Sequence, residues 1–303
     1  MSGLPTGTSK KVQYILQNAS KVSYPEAWPG TTVCYSTNLE HVDSWKRLTD
    51  TFYTQGKLTW EYTHHKNESV FFSYFPPYSN ARHLTLISQC AACPTARVES
   101  LGQSLEGREI ECISTGDGPL KCWIIHRQHP GETMAEHYAE GLLTRLLGIE
   151  MPHTEHEENN QPEGQVQDQV QRLLSLYTFY IVPCMCPDGG VRGHLRTNAA
   201  GANLNREWAT VKDDYEAPSL ERSPEVWHTL RKMQQTGVDV FVDVHGDEEL
   251  PFNFISGAEH VPNWSKRLET LHGAFTAAYT RANSDMQPHI GYPPMESPEQ
   301  ALP

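Results

Sequence analysis

The chain of 303 residues contains no apolar run long enough to cross a bilayer, and its mean hydropathy is −0.56, which excludes a transmembrane helix. Its first residues, MSGLPTGTSKKVQYI, carry lysines with no apolar stretch behind them, so they do not read as a secretory signal. Basic residues are also scarce: 24 Lys and Arg stand against 37 Asp and Glu, a net charge of −13. That balance disfavours nucleic acid and anionic membrane surfaces as partners. No internal repeat is visible. Cysteine is present, but its seven copies are odd in number and irregular in spacing, in a chain too large to need staples. Free thiols in a reducing compartment, and hence a cytoplasmic location, are expected. Cys90-Ala-Ala-Cys93 has no second pair at finger-like spacing, so ordinary thiols are a better reading than a structural metal.

What is there divides at a proline pair. From about Lys11 to Ser79 the runs VQYIL, TTVCYS, KLTWEYTH and ESVFFSYF are short and rich in β-branched and aromatic residues. Between them lie turn-forming breaks, the pattern of an all-β module. Pro76-Pro77 cannot continue a sheet ladder, which sets a boundary between residues 1–79 and 80–303. Beyond it strands and helices alternate, which implies α/β architecture with a mixed, largely parallel sheet flanked by helices. Helices are expected over Arg82–Cys90, Thr133–Leu147, around Trp227, Leu230 and Met233, and over Trp264–Asn283. Strands are expected over Glu109–Ser114, Leu120–His126, Leu176–Pro183 and Val238–Val244. The acidic, proline-punctuated stretch Glu150–Gln167 reads as an exposed loop.

Three motifs fall at strand ends, where open α/β sheets place their ligands. Directly after the Leu120–His126 strand comes His129-Pro130-Gly131-Glu132. The Pro-Gly turn lets an imidazole and a carboxylate three residues apart meet one cation, although a bare HxxE is more often a pair of polar side chains in solvent. His245 ends the strand-like Phe241-Val-Asp243-Val and precedes Gly246. With His129 and Glu132 it completes a two-His-one-Glu set, which holds zinc and leaves a fourth position for water. Asp243, two residues earlier on the same strand face, can orient a ligand or simply make a loop contact. The third motif runs from Arg196 through Asn203 and Asn205-Arg206 to Trp208. Its guanidinium groups suit a substrate carboxylate, or are solvated loop charges. Fifteen histidines make any unpatterned one uninformative.

The ordered set His129-x-x-Glu132, Asn205-Arg206 and His245 resembles zinc carboxypeptidases of the carboxypeptidase A type. The wording HPGET, PDGGVRGHLR, GANLNREW and DVHGD, with a β-rich module ending in FFSYFPPYS, is closer still to the cytosolic carboxypeptidases. The resemblance covers nearly the whole chain. It implies a small β-sandwich before a carboxypeptidase-like catalytic domain, one zinc ion held by His129, Glu132 and His245, and peptide or protein C-termini as partners. It also implies that Arg196 stabilises the oxyanion and that Asn205 and Arg206 grip the terminal carboxylate. Terminal glutamate is the implied specificity. Two departures stand out. Asn203 occupies the place of an aspartate that orients a zinc-bound histidine, so the ligand loses a charge behind it. The family's general-base glutamate, on a late strand, has no counterpart: Glu259 and Glu269 fall in a loop and a helix, and Glu296 sits among prolines. The expectation is a form lacking the base and the last strands. Two alternatives stay open: a zinc-dependent module that binds peptide C-termini without cutting them, and an amidohydrolase of the aspartoacylase type.

Overall fold

The computed structural model describes residues 9–39, 44–65, 68–150, 163–210, 216–258 and 264–292. Six short strands open the chain: β1 (Lys10–Leu16), β2 (Cys34–Ser36), β3 (Lys46–Arg47), β4 (Thr51–Thr54), β5 (Lys57–His64) and β6 (Phe71–Ser73). They form two three-stranded antiparallel sheets, in the orders β1-β5-β4 and β3-β2-β6. Ala19, Val33 and Leu58 are buried together, with Leu16, Trp28, Trp60 and Phe72 packed around them. The two-residue turn joining β4 to β5 needs positive φ at both positions, and Gln55 and Gly56 adopt 50° and 74°.

After Pro76-Pro77 the side chain of Ser79 accepts the Arg82 N–H and starts α1 (Asn80–Ala92), somewhat longer than the expected helix. Then follow β7 (Ala96–Gln103), β8 (Glu109–Thr115), β9 (Leu120–His126), α2 (Thr133–Leu147), α3 (Glu163–Leu176), β10 (Tyr177–Val182), α4 (Pro187–Arg192), α5 (Pro224–Thr236), β11 (Val240–Val244) and α6 (Lys266–Ala282). The strands β7–β11 form one mixed sheet in the order β11-β9-β10-β8-β7. β9 is parallel to both of its neighbours, β10 and β11, while β8 runs antiparallel to β10 and β7. Alternate residues of β9 serve opposite faces: Cys122 and Ile124 pack with Leu86, Leu143 and Ile181 under α1 and α2, and Trp123 and Ile125 pack with Val226 and Met233 under α5.

Two expectations need correction. Residues 151–162 of the expected Glu150–Gln167 loop lie outside the described residues, but Glu163 to Gln167 already belong to α3. Val166, Val170, Leu173 and Leu174 recur at helical spacing just beyond the acidic stretch and give that helix an apolar face. Strand β7 was not expected either. Its alternation of Val98 and Leu101 is broken by a register shift between Ser100 and Gln103.

Candidate metal centre

Strand register sets the site. His126, the last residue of β9, pairs with Val244, the last of β11, so the chain segments leaving both strands emerge side by side. His245 is one residue past that point and His129 three. Between His126 and His129 the backbone reverses at Arg127, whose φ of 54° is left-handed. Its buried guanidinium supports the reversal from beneath: Nε donates to the Pro130 carbonyl at 2.9 Å, and Nη1 donates to the Tyr78 carbonyl at 3.1 Å and to Glu136. The Glu132 N–H donates to the His129 carbonyl at 3.1 Å, closing the turn that the Pro-Gly pair suggested, and Glu132 then caps α2. Gly131 donates to the Leu195 carbonyl at 2.9 Å. A Cβ there would lie 2.8 Å from that oxygen, so only glycine lets the loop approach the Arg196 segment so closely.

His129, Glu132 and His245 each offer a ligand atom, all within 4.8 Å of one another. The Glu132 carboxylate sits between the rings, with Oε1 2.7 Å from His129 Nδ1 and Oε2 2.9 Å from His245 Nδ1. The Gly246 N–H also donates to Oε2, at 2.9 Å. Each imidazole turns its other nitrogen to an oxygen: His129 Nε2 lies 3.0 Å from Asn203 Oδ1, and His245 Nε2 lies 2.7 Å from Asp243 Oδ2. Asp243 is therefore an orienting partner of His245, and it is itself held by the Gln128 amide, which Trp208 Nε1 fixes at 2.9 Å. With a proton on each Nε2 donated outward, both Nδ1 atoms face inward and can ligate a cation in place of the protons they share with Glu132. Two such nitrogens and one carboxylate oxygen are a three-ligand zinc set with room for a fourth group, so the residues fit this ion.

The electrostatics favour a cation at this point. Burial opposes a charge on His245, but hydrogen bonds to Asp243 and Glu132 overcome it and raise its pKa to about 10. Burial likewise pushes the Glu132 carboxyl up, yet hydrogen bonds from both imidazoles hold it at about 2.

Arg196 reaches the same cluster, with Nη2 3.1 Å from His129 Nε2 and Nη1 3.6 Å from Glu132 Oε1. Its segment is folded by Asn198, whose Oδ1 accepts the N–H groups of Ala200 and Ala202 and whose Nδ2 donates to the Arg222 carbonyl and Glu225. Asn203 Oδ1 also accepts the Asn205 N–H at 3.1 Å and opens a 3-10 turn over Leu204–Arg206. Asn205 and Arg206 lie half-buried in this turn, and Arg206 Nη1 donates to the Asn205 carbonyl at 2.8 Å.

Of the glutamates weighed as a base, Glu269 lies on α6, 56% exposed and ion-paired to Lys266, while Glu259 and Glu296 lie outside the described residues. Sequence reasoning missed Glu248. Burial and the Glu132 charge, against Arg196, push its carboxyl up to about 7, and its buried Oε1 has no hydrogen-bond partner among the described residues. Its place three residues past His245 in an acidic run was the one available signal. Tyr24, whose ring lies 5.7 Å from the Arg196 guanidinium carbon, was missed as well and has no local signal. Cys90 and Cys93 close α1 as free thiols, and all seven cysteines are unpaired.

Residues 85–293 match the zinc carboxypeptidase family, and residues 4–75 match the cytosolic carboxypeptidase N-terminal domain. An uncharacterized protein of Zymomonas mobilis is 42% identical over 93% of this chain and 67% of its own length. Cytosolic carboxypeptidase 6 of Caenorhabditis elegans is 23% identical over 86% of this chain and 54% of its own length. Among solved structures, a metallo-carboxypeptidase from Pseudomonas aeruginosa in complex with (2-guanidinoethylmercapto)succinic acid superposes with a TM-score of 0.82 at 36% identity. The match covers 97% of this chain and 72% of that one.

Proposed function

The chain belongs to the zinc carboxypeptidase family, and from that premise we propose that it binds one zinc ion through His129, Glu132 and His245 to remove residues from the C-termini of peptides or proteins. The observation that carries this reading is the orientation of the imidazoles, both Nδ1 atoms inward and both Nε2 atoms on oxygens. Zinc, when bound there, polarises a carbonyl and lowers the pKa of water. The chain's own residues supply the rest. Arg196, beside the ligands, holds the scissile carbonyl oxygen as it gains charge. Asn205 and Arg206 receive the substrate's terminal carboxylate, for which a guanidinium is the strongest partner. The dicarboxylate carried by the Pseudomonas relative is of that chemical class. Asn203 and Asp243 keep the protons of His129 and His245 on Nε2.

For proton transfer we assign Glu248. Glu132 is engaged by both imidazoles and Asp243 by His245 and Gln128, whereas Glu248, three residues past His245, has a buried Oε1 with no hydrogen-bond partner among the described residues. A carboxyl with an uncommitted oxygen is suited to accept and return a proton. The division at residues 79 and 80, a cytoplasmic setting and a preference for terminal glutamate complete the proposal, the last resting on family resemblance.

A zinc-loaded chain incubated with peptides ending in glutamate, leucine or lysine, read by mass spectrometry, should release a single C-terminal residue. Glu248→Gln should slow release by roughly two to four orders of magnitude with zinc content unchanged. Peptide binding without release, in a folded and zinc-loaded sample, would favour the second reading, a module that holds C-termini without cleaving them. That reading rests on the described residues holding no strand after β11 to carry the family's general-base glutamate.

A further inference from the structure

The β-rich N-terminal region reaches the surroundings of the metal centre through Tyr24, against Arg196, and Tyr74, against the loop after His245. Tyr24 precedes a 3-10 turn over Pro25–Ala27, and Pro25 keeps its backbone out of the helical region, at φ −130° and ψ 72°. Its ring stands 5.7 Å from the Arg196 guanidinium carbon, within cation–π range. Burial raises the Tyr24 phenol above its ordinary value, against Arg196, whose charge and hydrogen bond lower it. The turn is anchored. Trp28 Nε1 donates to the Ala19 carbonyl at 2.8 Å, and the Trp28 ring meets Tyr74 edge-on at 5.1 Å. Tyr74 in turn donates its hydroxyl to the Glu248 carbonyl at 2.6 Å, in the loop that follows His245. Two aromatic side chains of one small region therefore bear on both loops of the centre.

Arg196 needs such a support. With the His129 proton on Nε2 and donated to Asn203, that nitrogen has no lone pair for Arg196, and a ligated Glu132 offers it less charge. A long side chain 29% exposed would then lose several rotamers' worth of order unless something else held it. The ring face of Tyr24 attracts a guanidinium and limits where it can turn.

We propose that Tyr24 is a positioning residue that holds the Arg196 guanidinium over the metal centre, so that the N-terminal β-rich region forms one wall of the site. The inference rests on the carboxypeptidase reading of Arg196.

The test uses the full zinc-loaded chain and a tripeptide phosphonate whose tetrahedral phosphorus replaces the scissile carbonyl. In nuclear magnetic resonance, the Arg196 Nε–H signal, assigned by its loss in Arg196→Lys, should carry a ring-current shift. Tyr24→Leu should abolish that shift and Tyr24→Phe should keep most of it. In calorimetry, Tyr24→Leu should weaken phosphonate binding by about threefold to tenfold, with zinc content and thermal midpoint unchanged. The same substitution on an Arg196→Ala background should have no further effect. An Arg196 signal indifferent to Tyr24→Leu, or equal weakening on both backgrounds, would overturn the proposal. Failure of the parent chain to bind the phosphonate would instead count against the carboxypeptidase reading, and the resonance shift alone would then decide the role of Tyr24.

Discussion

Asn203 accepts two hydrogen bonds with one oxygen, from the Asn205 N–H that opens the 3-10 turn and from His129 Nε2. A neutral carboxamide fixes the tautomer of His129 but adds no negative charge behind it, unlike Asp243 behind His245. The two imidazoles are therefore unequal ligands. Replacing Asn203 by Asp preserves the shape and both hydrogen bonds while adding the charge, so zinc should bind tighter, by about tenfold in competition with a chelator. Asn203→Ala should weaken it by roughly 10–100-fold. An Asn203→Asp chain with unchanged affinity would mean that the hydrogen bond, not the charge, sets the basicity of His129. At this scale the ligands were legible because ligand chemistry is written in residue type: His129, Glu132 and His245 stand in patterned contexts. Tyr24 was not legible, because its meaning comes only from a ring placed over a guanidinium 172 positions away in the chain.

The elements explain why those ligands meet. β9 was readable as an apolar run, and β11 as Val240, Val242 and Val244 beneath a histidine, but their parallel adjacency is a property of the sheet that no local pattern states. The connections among helices hold it in place. His83 of α1 bridges Glu136 of α2, 2.7 Å from Nδ1, and Glu111 of β8, 3.1 Å from Nε2. Glu136 also receives Arg127, the residue under the His129 turn. Burial opposes a charge on His83, but hydrogen bonds to Glu111 and Glu136 raise its pKa to about 9. The folded value lies above the unfolded one of about 6.5, so the stabilisation is complete below pH 6.5 and is lost as pH rises through 9. Its size is about 3 kcal/mol from that difference. Urea midpoints measured between pH 6 and 10 should fall across this window in the parent chain, and His83→Gln should flatten that slope. None of this was visible in the sequence, where His83 was one of fifteen histidines without a pattern.

At the scale of the whole molecule, the mixed sheet ends, among the described residues, in two edge strands, β7 and β11. β7 lies under α1 and α5, whereas β11 ends the sheet order with β9 as its sheet neighbour. Among the described residues α6 contributes no buried residue, and its Leu271 and Phe275 are 51% and 50% exposed. Strand edges and exposed apolar side chains on a helix are both templates for association. The net charge of −13 works against it, since copies of the chain repel one another. The two effects differ in range. Repulsion is screened beyond about 10 Å at 0.1 M salt, while apolar contact is made at short distance and is not weakened by salt. Raising the ionic strength should therefore increase self-association of the 1–303 chain in sedimentation velocity at about tens of micromolar, and Leu271→Lys with Phe275→Lys should reverse it. If salt instead dissolves the assembly, complementary charges hold it together and the apolar face of α6 is not the contact.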